Sequence, residues 1–314
     1  IFFVGLASLL LLIGAQLHGV ERDRLRRQET AEVDAALREV TDALKNRIYA
    51  NIHKVSVVKP LVAMNPELTQ EDFSRAMSVQ FDGGGDFRNI GLARDMVLAF
   101  VHPVAGNEAA VGLDYRTLPE QLPAVELAKS LNQVVMAGPL ELVQGGRGWV
   151  ARIPIFLPDA AGGEDAFWGF ASVVMNSDLI LEQSGFSAPD RGVRFAIRGR
   201  DALGDQGDVF WGDPAVFAGN PRTETLALPH GSWQIAALPD SGWHRGPAGI
   251  TPLLLAHAGS STVLLIFAAW IVFLLNRQRH LEKTAYDLTE NIPVGTYTLV
   301  QPPEGGIGKF HFMS

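Results

Sequence analysis

The sequence of 314 residues contains no cysteine. Disulfide bonds, thiolate metal sites and cysteine nucleophiles are therefore excluded, although a cysteine-free domain fits either redox compartment. Positive charge is also in deficit, because 26 Lys and Arg stand against 34 Asp and Glu, for a net charge of −8. This balance lacks the basic footprint of a general nucleic-acid-binding protein, so nucleic acid is not an expected partner.

Motifs for catalysis and metal binding are missing as well. The 8 His residues are scattered, and no two of them have zinc-ligand spacing on one helix. No Gly-x-Ser-x-Gly nucleophile motif occurs. We therefore expect no catalytic residue, no metal site and no cofactor in this chain.

Formal charge is absent from two long apolar runs, Ile1–Leu17 and Thr251–Leu275. A helix needs about 20 apolar residues to cross a bilayer, so residues 1–17 and 251–275 are predicted transmembrane helices in a lipid bilayer. The alternative for the first run is a cleaved signal peptide, but no convincing small-x-small cleavage site follows it. The alternative for the second is a buried core helix, which Trp270 and the following basic NRQRH segment argue against.

Basic residues beside the two runs predict the orientation. Arg277, Arg279 and Lys283 follow the second run and indicate a cytoplasmic C-terminal side. Four arginines between residues 22 and 27 follow the first run and, by the same rule, favour a cytoplasmic position for the domain that begins there. They alternate with acidic residues and begin a long domain, and long domains are translocated largely regardless of charge. We therefore expect the domain to lie outside the cytoplasm.

Residues 20–59 have the pattern of one long helix. Apolar residues recur at steps of three and four with a single gap, and Pro60 is the predicted stop. Such a helix would continue from the membrane as a stalk. Its apolar stripe needs a partner, which is either the domain that it supports or the same helix of a second subunit. The stripe consists of Leu25, Val33, Leu37, Val40, Leu44, Ile48, Ile52 and Val55.

The region after the stalk is of mixed type. Thr69 and Asp72 have the spacing of a helix cap, and strand-like runs then outnumber helices, which indicates an α+β domain rather than a doubly wound sheet. Residues 276–291 form a predicted linker helix, and residues 292–314 have the pattern of a hairpin that opens another sheet domain. The predicted strands are Met96–Val101, Val134–Met136, Trp149–Phe156, Phe167–Met175, Val193–Ile197, Thr225–Leu228 and Trp233–Leu238, and the predicted helices are Pro119–Leu131 and Ser177–Gln183.

Six separated blocks between Leu92 and Trp243 carry a family resemblance. The blocks are VHPVAGNEAAVGLDY, LPAVELAKSLNQVVMAGPLELVQGG, WVARIPIF, FWGFASVVMNSDLILEQSG, FAIRG and LPHGSWQIAALPDSGW. In this order they resemble a CHASE domain, the extracytoplasmic sensor module that is also found in plant cytokinin receptors. The resemblance implies two PAS-like mixed sheets carried by a long stalk helix, a distal one at residues 60–160 and a proximal one at 161–245.

The resemblance also implies a ligand site in the distal sheet. Asp114 falls where the cytokinin receptors place an Asp that hydrogen-bonds an adenine-type ligand. Met136 falls on an apolar lining position, and Gly138 lies in the matching strand. Gly145 replaces a polar Thr of the plant proteins and cannot supply its side-chain hydrogen bond, so an adenine-type ligand is not implied. Two large residues on predicted strands are further candidates for the lining of the same cavity, namely Phe100 and Trp149.

These features predict a receptor in the bacterial inner membrane. Its sensor would bind a small molecule in the periplasm or outside, dimerise through the stalk and signal to the cytoplasm. NIPVGTYTLV and KFHFMS resemble the start of a PAS domain, so we expect an N-terminal fragment whose output is a diguanylate cyclase or a histidine kinase. Two alternatives are a membrane-anchored hydrolase with Asp114 and Glu108 as its carboxylates and a ligand-free scaffold that senses a protein partner.

Overall fold

A computed structural model describes residues 2–80, 85–142, 145–158, 163, 165–188, 191–243, 252–290, 296–300 and 309–313. The chain divides into two compact units, one of residues 24–245 and one of residues 1–23 with 246–314. The predicted domain boundaries at residues 160/161, 245, 251 and 292 lie outside the described residues.

The elements follow one another in an α+β order, as predicted. The helices are α1 (Phe2–Val55), α2 (Val58–Met64), α3 (Gln70–Gln80), α4 (Leu122–Leu131), α5 (Ser177–Gln183), α6 (Ala215–Ala218) and α7 (Pro252–Glu290). The strands are β1 (Phe87–Arg94), β2 (Val97–His102), β3 (Val135–Glu141), β4 (Arg147–Leu157), β5 (Ala166–Asn176), β6 (Val193–Arg198), β7 (Val209–Gly212), β8 (Arg222–Ala227), β9 (Ser232–Pro239), β10 (Thr296–Val300) and β11 (Lys309–Met313).

The apolar stripe of the stalk is buried from Val33 to Val55, whereas Leu25 is 38% exposed. The buried part belongs to one hydrophobic cluster with side chains from both sheets of the unit 24–245. Of the two partners left open by the sequence, the helix therefore packs on the domain that it supports.

Helix α1 ends at Val55, earlier than predicted. Pro60 lies in the first turn of α2, where its missing N–H breaks no helical hydrogen bond.

Two antiparallel sheets form the body of this unit. The first has the strand order β2-β1-β5-β4-β3, and the second has the order β7-β6-β9-β8. Every ladder in both sheets is antiparallel, whereas the sequence predicted mixed sheets. Strand β5 belongs to the first sheet, so the described strands change from one sheet to the other after residue 176.

Side chains alternate along the central strands of the first sheet, because successive residues of a strand point to opposite faces. Trp149 and Ala151 of β4 join the cluster around the stalk. Val150 packs in a separate cluster on the opposite face, and Arg152 also points away from the stalk. One face of the sheet is thus committed to α1, and the other is available for a site.

Local signals define several shorter elements. The predicted cap before α3 is present, since the Thr69 hydroxyl donates to Asp72 Oδ2 at 2.8 Å and accepts from the Asp72 N–H at 3.2 Å. Helix α5 spans the predicted residues, Ser177–Gln183. At the C-terminal end, β10 pairs with β11 in an antiparallel hairpin.

Two described helices are long and apolar enough to cross a membrane, and the candidate spans lie within Val4–Met64 and Leu254–Asp287. They overlap the two apolar runs recognised in the sequence. Within the unit that contains these runs, the His257 ring lies 3.0 Å from the Leu10 carbonyl oxygen through its Nε2 atom.

Candidate ligand-binding site

A small cavity of about 40 Å³ lies on the face of the first sheet that points away from the stalk. The sheet forms its floor, and the segment between β2 and β3 forms its walls. The lining residues are Asn89, Leu98, Ala110, Leu113, Tyr115, Gln121, Leu142, Val150, Arg152, Ser172 and Val174. The lining is mainly apolar with a few polar groups, which is the usual composition of a small-molecule site.

The wall beside β2 is held by backbone hydrogen bonds. Leu98 N donates to Leu113 O at 2.9 Å, and Tyr115 N donates to Met96 O at 2.9 Å. Asp114 forms an isolated antiparallel bridge with Val97. The segment therefore runs along β2 like an extra strand, and its side chains alternate. Leu113 and Tyr115 line the cavity, whereas Asp114 between them is not among the lining residues.

Arg152 is the charged residue of the lining and is 1% exposed. Its Nη2 donates to Gln121 Oε1, and its guanidinium carbon lies 5.2 Å from the centre of the Tyr115 ring. Nε and Nη1 have no hydrogen-bond partner within standard distance and angle among the residues that the structure describes. Among the described residues, no carboxylate lies within 4.0 Å of it as an ion-pair partner.

Burial lowers the pKa of Arg152, and the Tyr115 side chain and then Asp201 act in the opposite direction. A guanidinium has a pKa above 12 and stays protonated in proteins. A buried charge is normally paired, because its desolvation costs free energy that an opposite charge offsets. Arg152 therefore places in the cavity a positive charge that has no carboxylate within 4.0 Å among the described residues.

Neutral polar groups complete the site. The buried Asn89 donates from Nδ2 to Asn107 Oδ1 at 2.7 Å, and Asn107 donates to the Pro103 carbonyl oxygen at 3.0 Å. This chain fixes the Asn89 amide against the wall. The Ser172 hydroxyl has only a long contact to the Gly91 carbonyl oxygen, at 3.5 Å, so it remains available to a ligand. The site offers donors and acceptors around one fixed cation.

Asp114, the leading candidate from the sequence, is engaged with Arg116. Its Oδ1 accepts from the Arg116 backbone N–H at 2.9 Å and from Arg116 Nε at 2.8 Å. The hydrogen bond from the Arg116 side chain, followed by that from its backbone, lowers the pKa of the Asp114 carboxyl. The carboxylate thus caps the turn Tyr115–Thr117 outside the lining of the cavity.

The three larger candidates lie on the stalk side of the sheet. Met136 and Trp149 are 1% and 0% exposed and belong to the cluster around α1. Phe100 packs against the same cluster, with its ring 6.2 Å from that of Phe73 in α3. These side chains are brought together with the stalk rather than with Arg152.

The two glycine candidates have backbone roles. The Gly138 N–H donates to Asp201 Oδ1 at 2.8 Å, and a Cβ on Gly138 would come within 2.8 Å of Leu140 N. The carbonyl oxygen of Gly145 accepts from Arg88 Nη1. None of the six sequence-predicted residues is among those that line the cavity.

Arg152, Gln121 and Tyr115 were not selected from the sequence. The signal for Arg152 is present in WVARIPIF, where a single charged residue interrupts an otherwise apolar strand. Arginine is almost never fully buried unless it is paired. A lone arginine inside a buried strand is therefore a candidate for an internal site, but the strand pattern alone does not show which face it occupies.

The comparison with protein families decides the identity of this unit. A model of the CHASE domain matches residues 35–210, which is more than half of the chain. The chain belongs to the CHASE domain family. The match includes the stalk from residue 35 and all of the first sheet, and it does not reach residues 292–314. A comparison with curated protein sequences gave no match.

Three solved structures are similar to this chain at low sequence identity. An extracellular ligand binding receptor from Desulfohalobium retbaense is 15% identical with a TM-score of 0.50, over 65% of this chain and 39% of that one. The sensory domain of the Campylobacter jejuni chemoreceptor Tlp3 is 10% identical with a TM-score of 0.49, over 71% and 98%. The ligand binding domain of the Pseudomonas aeruginosa amino acid chemoreceptor PctB, in complex with L-Arg, is 11% identical with a TM-score of 0.48, over 70% and 97%.

The CHASE domain and its flanking helices identify the general class of the protein. CHASE is an extracytoplasmic sensor domain of receptors, and two helices able to cross a membrane accompany it here. This chain spans 39% of the length of the Desulfohalobium receptor.

Proposed function

We propose that this chain is the sensory part of a transmembrane receptor of the bacterial inner membrane, and that its CHASE domain captures a small molecule in the cavity of the first sheet. One observation carries the proposal. The cavity and the stalk lie on opposite faces of the same strands, so that Arg152 points into the cavity while its neighbour Ala151 packs in the stalk cluster. Binding on one face then acts directly on the packing of α1.

The stalk is firmly joined to both sheets, which supports a role in transmission. Besides its apolar stripe, Arg47 binds Asp86 at 2.9 Å and Gln183 at 2.6 Å. Asp34 binds Arg222 of β8 at 2.6 Å. A ligand moves a two-state equilibrium only through its different affinities for the two states, and a change from 1:99 to 99:1 needs about 5.5 kcal/mol.

The proposed signal then passes along α1 and α7 to the cytoplasm. In keeping with the sequence resemblance, we assign the hairpin β10–β11 to the start of a PAS domain and the output to a diguanylate cyclase or histidine kinase. A homodimer is part of the proposal. Because the stripe Val33–Val55 is covered by the sheets of its own chain, the dimer contact would use other surfaces of the stalk.

The test measures ligand-dependent thermal stability of the full chain in lipid nanodiscs. A ligand that binds the folded state raises Tm. At a ligand concentration 100-fold above Kd, it adds about 2.7 kcal/mol to the free energy of unfolding. We expect at least one member of a broad panel of small metabolites to raise Tm saturably. Val174→Phe, which fills the cavity, should abolish the shift, and Val111→Phe at a site 45% exposed in the cavity wall segment should retain it.

The alternatives are separated by thermal stability together with assays of signalling and of turnover. A scaffold without a ligand predicts no Tm shift for any compound, with signalling that survives Val174→Phe. The hydrolase predicts turnover that is lost in Asp114→Ala. Its two carboxylates are already engaged, as Asp114 binds Arg116 and Glu108 Oε1 accepts from the Gly106 N–H at 3.2 Å, and the sequence provides no nucleophile motif beside them.

A further inference from the structure

We infer that the ligand of the cavity carries a carboxylate that pairs with the buried guanidinium of Arg152. This inference rests on the proposed function and adds the chemical class of the ligand. It is carried by a side chain that is 1% exposed, lines the cavity and leaves Nε and Nη1 without acceptors. An anionic oxygen is the partner that such a group lacks.

None of the described residues that line the cavity supplies a counter-charge. The residues that surround Arg152 there are neutral, and its hydrogen-bond partner Gln121 is an amide. The Asp201 carboxylate favours the charged form of Arg152 and so acts to raise its pKa. Its Oδ1 accepts a hydrogen bond from the Gly138 N–H at 2.8 Å, and it is not among the residues that line the cavity. A purely structural arginine would be expected to have its donors satisfied by protein acceptors. The open donors therefore indicate a partner that arrives from outside.

The lining also selects among anions. Arg152 is the one cation among the eleven described lining residues, so a single negative charge is balanced and a second is not. A carboxylate matches this condition, whereas a phosphate monoester with a charge of about −1.5 to −2 near neutral pH does not. Leu98, Leu113 and Val150 offer apolar surface for a short carbon body. In charge and polarity the lining thus matches a small carboxylic acid better than a phosphate.

The experiment compares acids with their own amides on the full chain in nanodiscs. The probes are acetate, butyrate, benzoate, glycine and 2-aminobutyrate, each with its primary amide, together with inorganic phosphate and a neutral metabolite panel. We expect at least one carboxylate to raise Tm saturably, its amide to bind at least tenfold more weakly, and phosphate to bind more weakly than the acid.

Variants then assign the effect to the guanidinium. Arg152→Met keeps the apolar stem and should weaken carboxylate binding at least tenfold, and Arg152→Lys should fall between it and the wild type. Arg194→Met, in a side chain 45% exposed on the other sheet, is the matched control and should bind as the wild type does. Gln121→Glu places an internal carboxylate beside Arg152. It should raise Tm without ligand and weaken binding of the acid at least tenfold, which keeps the proposal testable if Arg152→Met fails to fold.

The outcomes separate the two proposals. Neutral compounds that bind equally to wild type and Arg152→Met, with no binding of the acids, overturn the carboxylate and leave the small-molecule sensor in place. Tighter binding of phosphate than of any acid, lost in Arg152→Met, overturns the carboxylate in favour of a phosphorylated ligand. Acid binding that is unchanged in both Arg152→Met and Gln121→Glu overturns the role of Arg152. If no probe of any charge binds, both proposals fall.

Discussion

The indole rings of Trp149 in β4 and Trp233 in β9 pack against each other, with their centroids 4.8 Å apart and their planes inclined by 50°. Both rings are almost fully buried, at 0% and 1% exposure, and neither indole N–H has a hydrogen-bond partner in the structure. The contact joins the sheet that bears the cavity to the second sheet. It therefore makes the two sheets one packed body around the stalk.

Shortening Trp149 should destabilise the domain without altering the cavity. Trp149→Ala is expected to cost about 3–5 kcal/mol. Trp149→Phe should cost less, because it keeps most of the ring and removes an unpaired buried N–H. Thermal and denaturant unfolding of the two variants measure this difference. A double mutant with Trp233→Ala should be non-additive because the rings touch.

The same variant tests the sequence-based assignment of Trp149 to the ligand site, which stays a prediction. Since its ring faces the stalk cluster, we expect Trp149→Phe to bind any ligand found in the panel within about twofold of the wild type. A loss of tenfold or more at unchanged Tm would instead show that the ring contacts the ligand.

Asp114→Asn tests the other leading sequence-based assignment. The side chain binds Arg116 rather than lining the cavity, so ligand affinity should change little while Tm falls slightly. Because the pKa of Asp114 is lowered below 3.8, the stabilising contact is present at pH 7 and is lost only as pH falls through the lowered pKa. The difference in Tm between variant and wild type should therefore persist from pH 8 to pH 5.

A selective loss of ligand affinity in Asp114→Asn, with no change in Tm, would contradict this expectation. It would return Asp114 to the role implied by the resemblance to the cytokinin receptors. Asp95→Asn is a suitable control, since Asp95 contacts Arg116 only at 3.6 Å.

The stalk contact should dominate the stability of the domain. Leu44 of α1 is fully buried in the shared cluster, so Leu44→Ala is expected to cost about 2–5 kcal/mol through lost burial and a residual cavity. The exposed neighbour Lys45 lies on the same helix, and Lys45→Ala should stay within about 0.5 kcal/mol of the wild type. Equal losses of unfolding free energy in both variants would show that the substitutions act on the helix as a whole rather than on the packing of its buried face.

Glu224 gives the domain a pH dependence of opposite sign to that of Asp114. Burial, and then the Asp42 carboxylate of the stalk, raise the pKa of Glu224 above 4.5, against the opposing effect of Arg38. A raised pKa favours the protonated carboxyl in the folded state. Its contribution to stability is therefore present below pH 4.5 and is lost as pH rises through the folded pKa.

Glu224→Gln keeps a neutral side chain at every pH and should raise Tm at pH 7–8 by on the order of 1 °C. Near pH 4 the variant and the wild type should coincide. Glu126→Gln, on the exposed side of α4, is the control and should show no such pH-dependent gain. A stabilisation that is equal at pH 4 and pH 8 would assign the effect to something other than the charge of Glu224.

Local patterns in the sequence predict the elements that local chemistry determines. The spacing of the stalk stripe fixes which face of α1 is buried, and Val33–Val55 are indeed covered. The cap of Thr69 and Asp72 and the helix Ser177–Gln183 follow from a few neighbouring residues. These features need no knowledge of what lies elsewhere in the chain.

Strand β1 is an element that the local sequence pattern does not predict. FRNIGLAR interleaves polar residues and a glycine with its apolar residues and was not predicted as a strand, yet it is a central strand between β2 and β5. A Cβ at Gly91 would come within 2.6 Å of Leu98 Cδ1 and 2.8 Å of Ser172 Oγ, so a larger residue there would displace these two side chains. The reason lies in partners that are distant in sequence. The site was missed for the same cause, because the face taken by Arg152 depends on which side of the sheet the stalk occupies.

The alternation along β4 has a consequence for how such receptors diversify. Val150 and Arg152 meet the ligand cavity, whereas Trp149 and Ala151 meet the stalk. Under the proposed function, substitutions at Val150 and Arg152 would change which ligand the cavity prefers. Trp149 and Ala151 are constrained because they pack in the stalk cluster. One face of β4 would then vary with the ligand, while the face that packs in the stalk cluster is retained.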